Sequence, residues 1–101
     1  MHVEQAILGH LQYLGRVEDY VKGRSEGVVL SSPSECLLGR WLAEQAPGDW
    51  QELRANHERF HALAESAVQA KQDGKLAEAE KLLQEMYVLF GRIEHLLLQV
   101  S

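Results

Sequence analysis

The sequence predicts an all-α fold: an antiparallel four-helix bundle built from three long helices and one short one. Three observations carry this expectation. Apolar residues recur with a helical period in four separate stretches, no run alternates apolar and polar residues as a half-buried strand would, and the breaks fall at Gly, Pro, Ser and Asp clusters.

The first helix is expected over about residues 3–22, where Ala6, Ile7, Leu11, Leu14, Val17 and Val21 mark one stripe and His10 lies within it. Residues 23–33 hold Gly23, Ser25, Gly27, Ser31, Ser32 and Pro33 and read as a loop. Within it, Val28, Val29 and Leu30 are placed as an extended segment against the bundle. Ser32-Pro33-Ser34-Glu35 then has Ser at an N-cap, Pro at the first helical position and Glu three residues after the cap, which starts a short second helix running to about Gln45. Pro47-Gly48 ends it. Asp49-Trp50-Gln51-Glu52 supplies another capping-box pattern with Asp49 at the cap, opening a third helix with Trp50, Leu53, His57, Phe60, His61, Ala64 and Val68 on one face. After Asp73-Gly74, a final helix from about Lys75 to Gln99 presents Leu82, Leu83, Met86, Leu89, Phe90, Ile93, Leu97 and Val100. Its opening, Gly-Lys-Leu-Ala-Glu-Ala-Glu-Lys-Leu-Leu, is similar to a tetratricopeptide helix but occurs once, so it makes no repeat array.

At 101 residues, with 46% hydrophobic and 25% charged residues, the sequence fits one domain over residues 1–101 with a core of its own. A formal charge of −5 and the absence of any basic run argue against nucleic acid and anionic membrane as partners. The first residues show no basic segment followed by an apolar one, and no stretch approaches the ~20 apolar residues that span a bilayer, so a cytoplasmic location is expected. A single cysteine excludes an intramolecular disulfide. Cys36 is therefore a small hydrophobe, a reactive thiol or a ligand.

The ligand reading gains force from the histidines. His57 and His61 are four residues apart and stack on one helix face, while His10 and Cys36 reach them from other elements. A thiolate among imidazoles selects Zn²⁺ over hard cations, and four such donors close a tetrahedral site. With Ser32 as the cap, Cys36 falls in the first turn of the second helix, where free N–H groups favour a thiolate. Gly39 lies on the same helix face and costs ~1 kcal/mol relative to alanine, which close approach of the histidine-bearing helices would explain. Trp41 is expected to anchor the short helix in the core.

His10-x-x-Tyr13, Cys36-x-x-Gly39-x-Trp41 and His57-x-x-x-His61, in that order, resemble the signature of the chemoreceptor zinc-binding (CZB) domain family. The resemblance covers nearly the whole chain. It implies one zinc per chain held by His10, Cys36, His57 and His61 in a four-helix bundle, and a role as a sensor of zinc or oxidant that regulates a signalling output, in cis or in trans. Members usually sit at an end of a chemoreceptor or a diguanylate cyclase, so a signalling protein of that type is the implied partner. The zinc-bound thiolate is the ligand most open to oxidation, which makes Cys36 the point of control.

A rival motif shares the residues. His57-Glu58-Arg59-Phe60-His61 matches the H-E-x-x-H pattern of zinc proteases, whose Glu is a general base. That chemistry needs an open coordination position, which Cys36 as fourth ligand removes, and a strand to align substrate, which the sequence lacks. Ala64 also stands where the extended protease motif has glycine. No catalytic activity is expected. A helical interaction domain with a structural zinc is the other alternative. His2 and His95 receive no metal role, and Glu78 and Glu80 diverge on their helix rather than forming an acid/base pair. Tyr87 and Leu96 are expected to remain exposed beside the last helix's stripe, pointing to a homodimer.

Overall fold

A computed structural model of the protein describes residues 1–100. Four α-helices and one 3₁₀ turn make up its regular structure: α1 Val3–Val21, the turn Pro33–Glu35, α2 Leu37–Ala43, α3 Gln51–Gln72 and α4 Leu76–Leu98. Among the described residues there is no strand, and no helix is long and apolar enough to cross a membrane. The molecule is a rod 41 Å long and 21 Å across. Helices α3 and α4 share the most extensive contact, α1 lies against both, and α2 sits at the side beside the 3₁₀ turn.

The helical stripes explain the core. From α1 come Ala6, Tyr13, Leu14, Val17 and Val21; from α3 Leu53, Phe60, Leu63, Ala64, Ala67, Val68 and Ala70; from α4 Ala79, Leu83, Met86, Leu89, Ile93 and Leu97. Phe60 is fully enclosed, a burial worth about 1.5–3 kcal/mol. Leu11, assigned to the α1 stripe from its spacing, is instead exposed. The buried face there is narrower and passes through His10 and Tyr13. Gly74 ends α3 in a left-handed conformation (φ 76°), which lets the Lys75 N–H reach back to the Ala70 carbonyl at 2.8 Å.

Residues 32–50 depart most from expectation. The Ser32/Glu35 capping box forms, with the Glu35 carboxylate accepting from Ser32 N–H at 3.0 Å, but it opens only one 3₁₀ turn. Cys36 then adopts an extended conformation (φ −87°, ψ 162°) and becomes the N-cap of α2 rather than a residue inside it. The helix ends at Ala43, short of Gln45. Asp49 does not cap α3. The chain enters it through Trp50 in the left-handed region (φ 60°), a conformation costing an L-residue roughly 1–2 kcal/mol.

Trp50 packs its ring against Trp41, 5.6 Å between centroids, and both indoles are half-buried. Trp41 therefore anchors α2 at the periphery, while Leu38 and Leu42 enter the core. Arg54 adds a polar tie that its sequence position did not announce. Its guanidinium donates to the carbonyls of Leu42 at 2.7 Å, Asp49 at 2.8 Å and Ala46 at 3.3 Å, fastening the end of α2 and the following turn to α3. In the long connection Val28 and Leu30 pack against the core, whereas Val29 is exposed. On α4, Tyr87 is exposed as expected, but Leu96 is half-buried against the core and Val88 is the exposed neighbour.

Candidate metal centre

Three elements converge on one spot. Helix α1 supplies His10, the junction between the 3₁₀ turn and α2 supplies Cys36, and successive turns of α3 supply His57 and His61. One donor atom from each lies within 4.8 Å of every other. All three histidines are buried, at 5%, 2% and 3% exposure, in a molecule where a buried imidazole without partners would be costly. Their rings meet edge to face, with centroids 5.1 Å apart for His10 and His57 and 4.7 Å for His57 and His61.

The hydrogen bonds select which nitrogen faces the centre. His10 Nδ1 lies 2.7 Å from the Ala6 carbonyl, and His61 Nδ1 lies 2.9 Å from the Ser31 carbonyl. A carbonyl oxygen only accepts, so both Nδ1 atoms carry the proton and both Nε2 atoms are left with a lone pair. His61 Nε2 is buried and has no hydrogen-bond partner at all. Cys36 Sγ lies 3.0 Å from His57 Nε2 and 4.0 Å from His10 Nε2, and accepts from the Gly39 N–H at 3.4 Å. Zinc bonds of about 2.0–2.3 Å to N and S fit such a cluster, and an unpartnered buried lone pair is the signature of a missing acceptor of electron density. The donor set suits zinc.

Electrostatics point the same way. Burial drives the His10, His57 and His61 pKa values down; repulsion from neighbouring rings adds to this at His57 and His10, whereas at His61 the Ser31 carbonyl, Glu65 and Glu35 oppose it, and His57 falls to about 3. At neutral pH the imidazoles are therefore uncharged and ready to donate. Burial pushes the Cys36 thiol up, against the opposing N–H groups of Gly39 and Leu38. The helix start does aim an N–H at the sulfur, as its position implied. Desolvation outweighs it, so without a metal Cys36 is a thiol rather than the expected thiolate.

Gly39 has a sharper reason than approach of the histidine helices. A Cβ there would be driven into the Pro33 carbonyl oxygen and would lie 2.7 Å from the Pro33 carbonyl carbon, because the 3₁₀ turn folds directly over α2. The acids near the site do not orient the imidazoles. Glu35 is committed to its capping box and Glu58 is exposed, and backbone carbonyls take the orienting role.

A model of the chemoreceptor zinc-binding domain family matches residues 10–68, a span that begins at His10 and takes in Cys36, His57 and His61. The chain belongs to the CZB family. Comparisons with curated proteins and with solved structures returned no match. As a CZB domain it is a zinc-binding module, and its His₃Cys group is positioned to bind one metal ion. The CZB match ends at Val68, before the last turn of α3, so α4 is described by its packing alone.

Proposed function

We propose that this CZB domain is a zinc-dependent sensory module without catalytic activity of its own, acting in the cytoplasm on a signalling protein in cis or in trans. The observation that carries the reading is the convergence of one nitrogen from each of His10, His57 and His61 with Cys36 Sγ, with His61 Nε2 buried and unpartnered. These four residues would hold the ion. Bound zinc would supply binding energy on the order of 10–16 kcal/mol at neutral pH and would keep the Cys36 sulfur deprotonated.

Each residue has a separable part. Ala6 and Ser31 carbonyls hold the His10 and His61 rings in the Nδ1–H form. Cys36 both closes the donor set and caps α2, so its bonding state is tied to the position of that helix. It is also half-buried, beside a cleft of about 130 Å³ lined by Gln5, Gly9, His10, Tyr13 and His61, through which a small oxidant has a route to the sulfur. A Cys36 sulfur kept deprotonated by bound zinc would be open to peroxide, which would transfer one oxygen to Sγ, take two electrons from sulfur and leave as hydroxide. The resulting sulfenic acid is a poor ligand, so its formation would weaken the tie between the metal site and the start of α2. With four protein donors no position remains for a catalytic water, and exposed Glu58 is not among them. The short α3–α4 connection and the packing of α1 on both helices support an antiparallel bundle. Exposed Tyr87 and Val88 on α4 support self-association as a homodimer.

Zinc analysis of protein purified without added metal, repeated for Cys36→Ala, tests the reading. One zinc per chain with weaker retention in the variant supports it; protein without zinc refutes it. Treatment with peroxide separates sensor from structural zinc: unchanged zinc occupancy and α2 protection would leave only the structural role.

A further inference from the structure

The two orienting carbonyls are not equivalent. Ala6 belongs to the same helix as His10, four residues before it, so α1 itself fixes the acceptor. Ser31 lies in the connection between α1 and the 3₁₀ turn, in a stretch without regular secondary structure, so no helix holds its carbonyl against His61. What does hold Ser31 is Tyr13. The Ser31 N–H donates to the Tyr13 hydroxyl at 3.3 Å, while the Ser31 carbonyl accepts from His61 Nδ1 at 2.9 Å. Both backbone groups of one loop residue are thereby tied, one to α1 and one to α3. Tyr13 is itself buried and packed: it is 6% exposed, with its ring 6.1 Å from Phe60 and 5.2 Å from His61 between centroids.

We propose that Tyr13 is a positioning residue for the metal site, acting through the Ser31 backbone to keep His61 in the Nδ1–H form with Nε2 directed at the ion. The inference rests on the zinc reading of the site and names a residue that touches no metal. An aromatic ring alone would fill the space; the hydroxyl is what holds the loop. The Ser31 side chain also interacts with the Tyr13 hydroxyl, but it is the Ser31 N–H and carbonyl that link Tyr13 to His61.

Tyr13→Phe keeps the ring and removes the hydroxyl. In the metal-free protein, long-range ¹H–¹⁵N correlation of the histidine rings reports which nitrogen carries the proton. His61 is expected to be the Nδ1–H form in the wild type and a mixture in Tyr13→Phe. Competition against a chromophoric chelator is expected to show zinc affinity reduced roughly three- to tenfold, below the 10–100-fold typical of a group bonded directly to a ligand. In a His61→Ala background Tyr13→Phe should have no further effect, whereas a general loosening of the bundle would lower affinity there as well. A His61 ring that stays Nδ1–H in Tyr13→Phe, or an equal affinity loss in both backgrounds, overturns the proposal. Wild-type protein that binds no zinc would instead refute the zinc reading, and the ring tautomer would still decide this one.

Discussion

Gly39→Ala sets helix propensity against the geometry of the site. On propensity alone, alanine in place of glycine inside α2 stabilises by ~1 kcal/mol. The structure reverses the sign. The added Cβ would be driven into the Pro33 carbonyl oxygen, 2.7 Å from its carbon and 3.2 Å from Ser34 Cα, and all three are backbone atoms with no rotamer to yield. Overpacking of this kind costs about 1–3 kcal/mol, so after the propensity gain the metal-free fold should lose up to about 2 kcal/mol net. The larger effect falls on the site. Relief of the clash requires Pro33 and Ser34 to retreat from α2, and Cys36 follows two residues later in the same short segment. Metal–ligand distances tolerate only about 0.2 Å, so zinc affinity should fall by about 10–100-fold, or ~1.4–2.8 kcal/mol. Denaturant unfolding with a chelator present gives the first quantity, and chelator competition gives the second. A variant that is ~1 kcal/mol more stable and binds zinc as the wild type does would refute the reasoning.

Three other perturbations test other parts of the account. His57 has a folded pKa of about 3 against an unfolded value of 6.5, so the unfolded chain gains a proton that the fold rejects; metal-free stability should be complete above pH 6.5 and decline toward pH 3, by on the order of 4–5 kcal/mol from this residue. Denaturant midpoints across that range measure it, and a flat profile contradicts the burial of neutral imidazoles. Because the histidines are neutral and the Cys36 thiol is pushed up, zinc binding near pH 7 should release about one proton per ion; calorimetry in buffers of different ionisation enthalpy counts it, and a release of zero or of three is incompatible with these states. Arg54→Ala should cost about 1–2 kcal/mol locally, speeding amide exchange in α2 while α4 keeps its protection; uniform acceleration would mean that Arg54 serves the whole bundle instead.

The helices and the four donors were legible because their signals are side-chain signals. Periodicity places Phe60 and Ile93 inward, and the i, i+4 spacing of His57 and His61 places both on one face. Cys36 was found by residue type and order. What the sequence hid belongs to the backbone. The carbonyls of Ala6 and Ser31 orient two imidazoles, and any residue type offers the same carbonyl. Trp50 takes a left-handed conformation that side-chain chemistry argues against, and only its packing on Trp41 makes sense of it. The Ser32/Glu35 capping box was read correctly but over-extended, since a capping box marks where a helical turn begins and not how far it continues. Leu11 shows the opposite limit: its spacing suits the α1 stripe, yet no other element covers that side of the helix.

Zinc K-edge X-ray absorption on the metal-loaded protein tests the central claim most directly. The account predicts a four-coordinate ion with three nitrogens at about 2.0–2.1 Å and one sulfur at about 2.3 Å. A spectrum without a sulfur shell, or with a light-atom ligand in place of one imidazole, would contradict the His10, Cys36, His57 and His61 site.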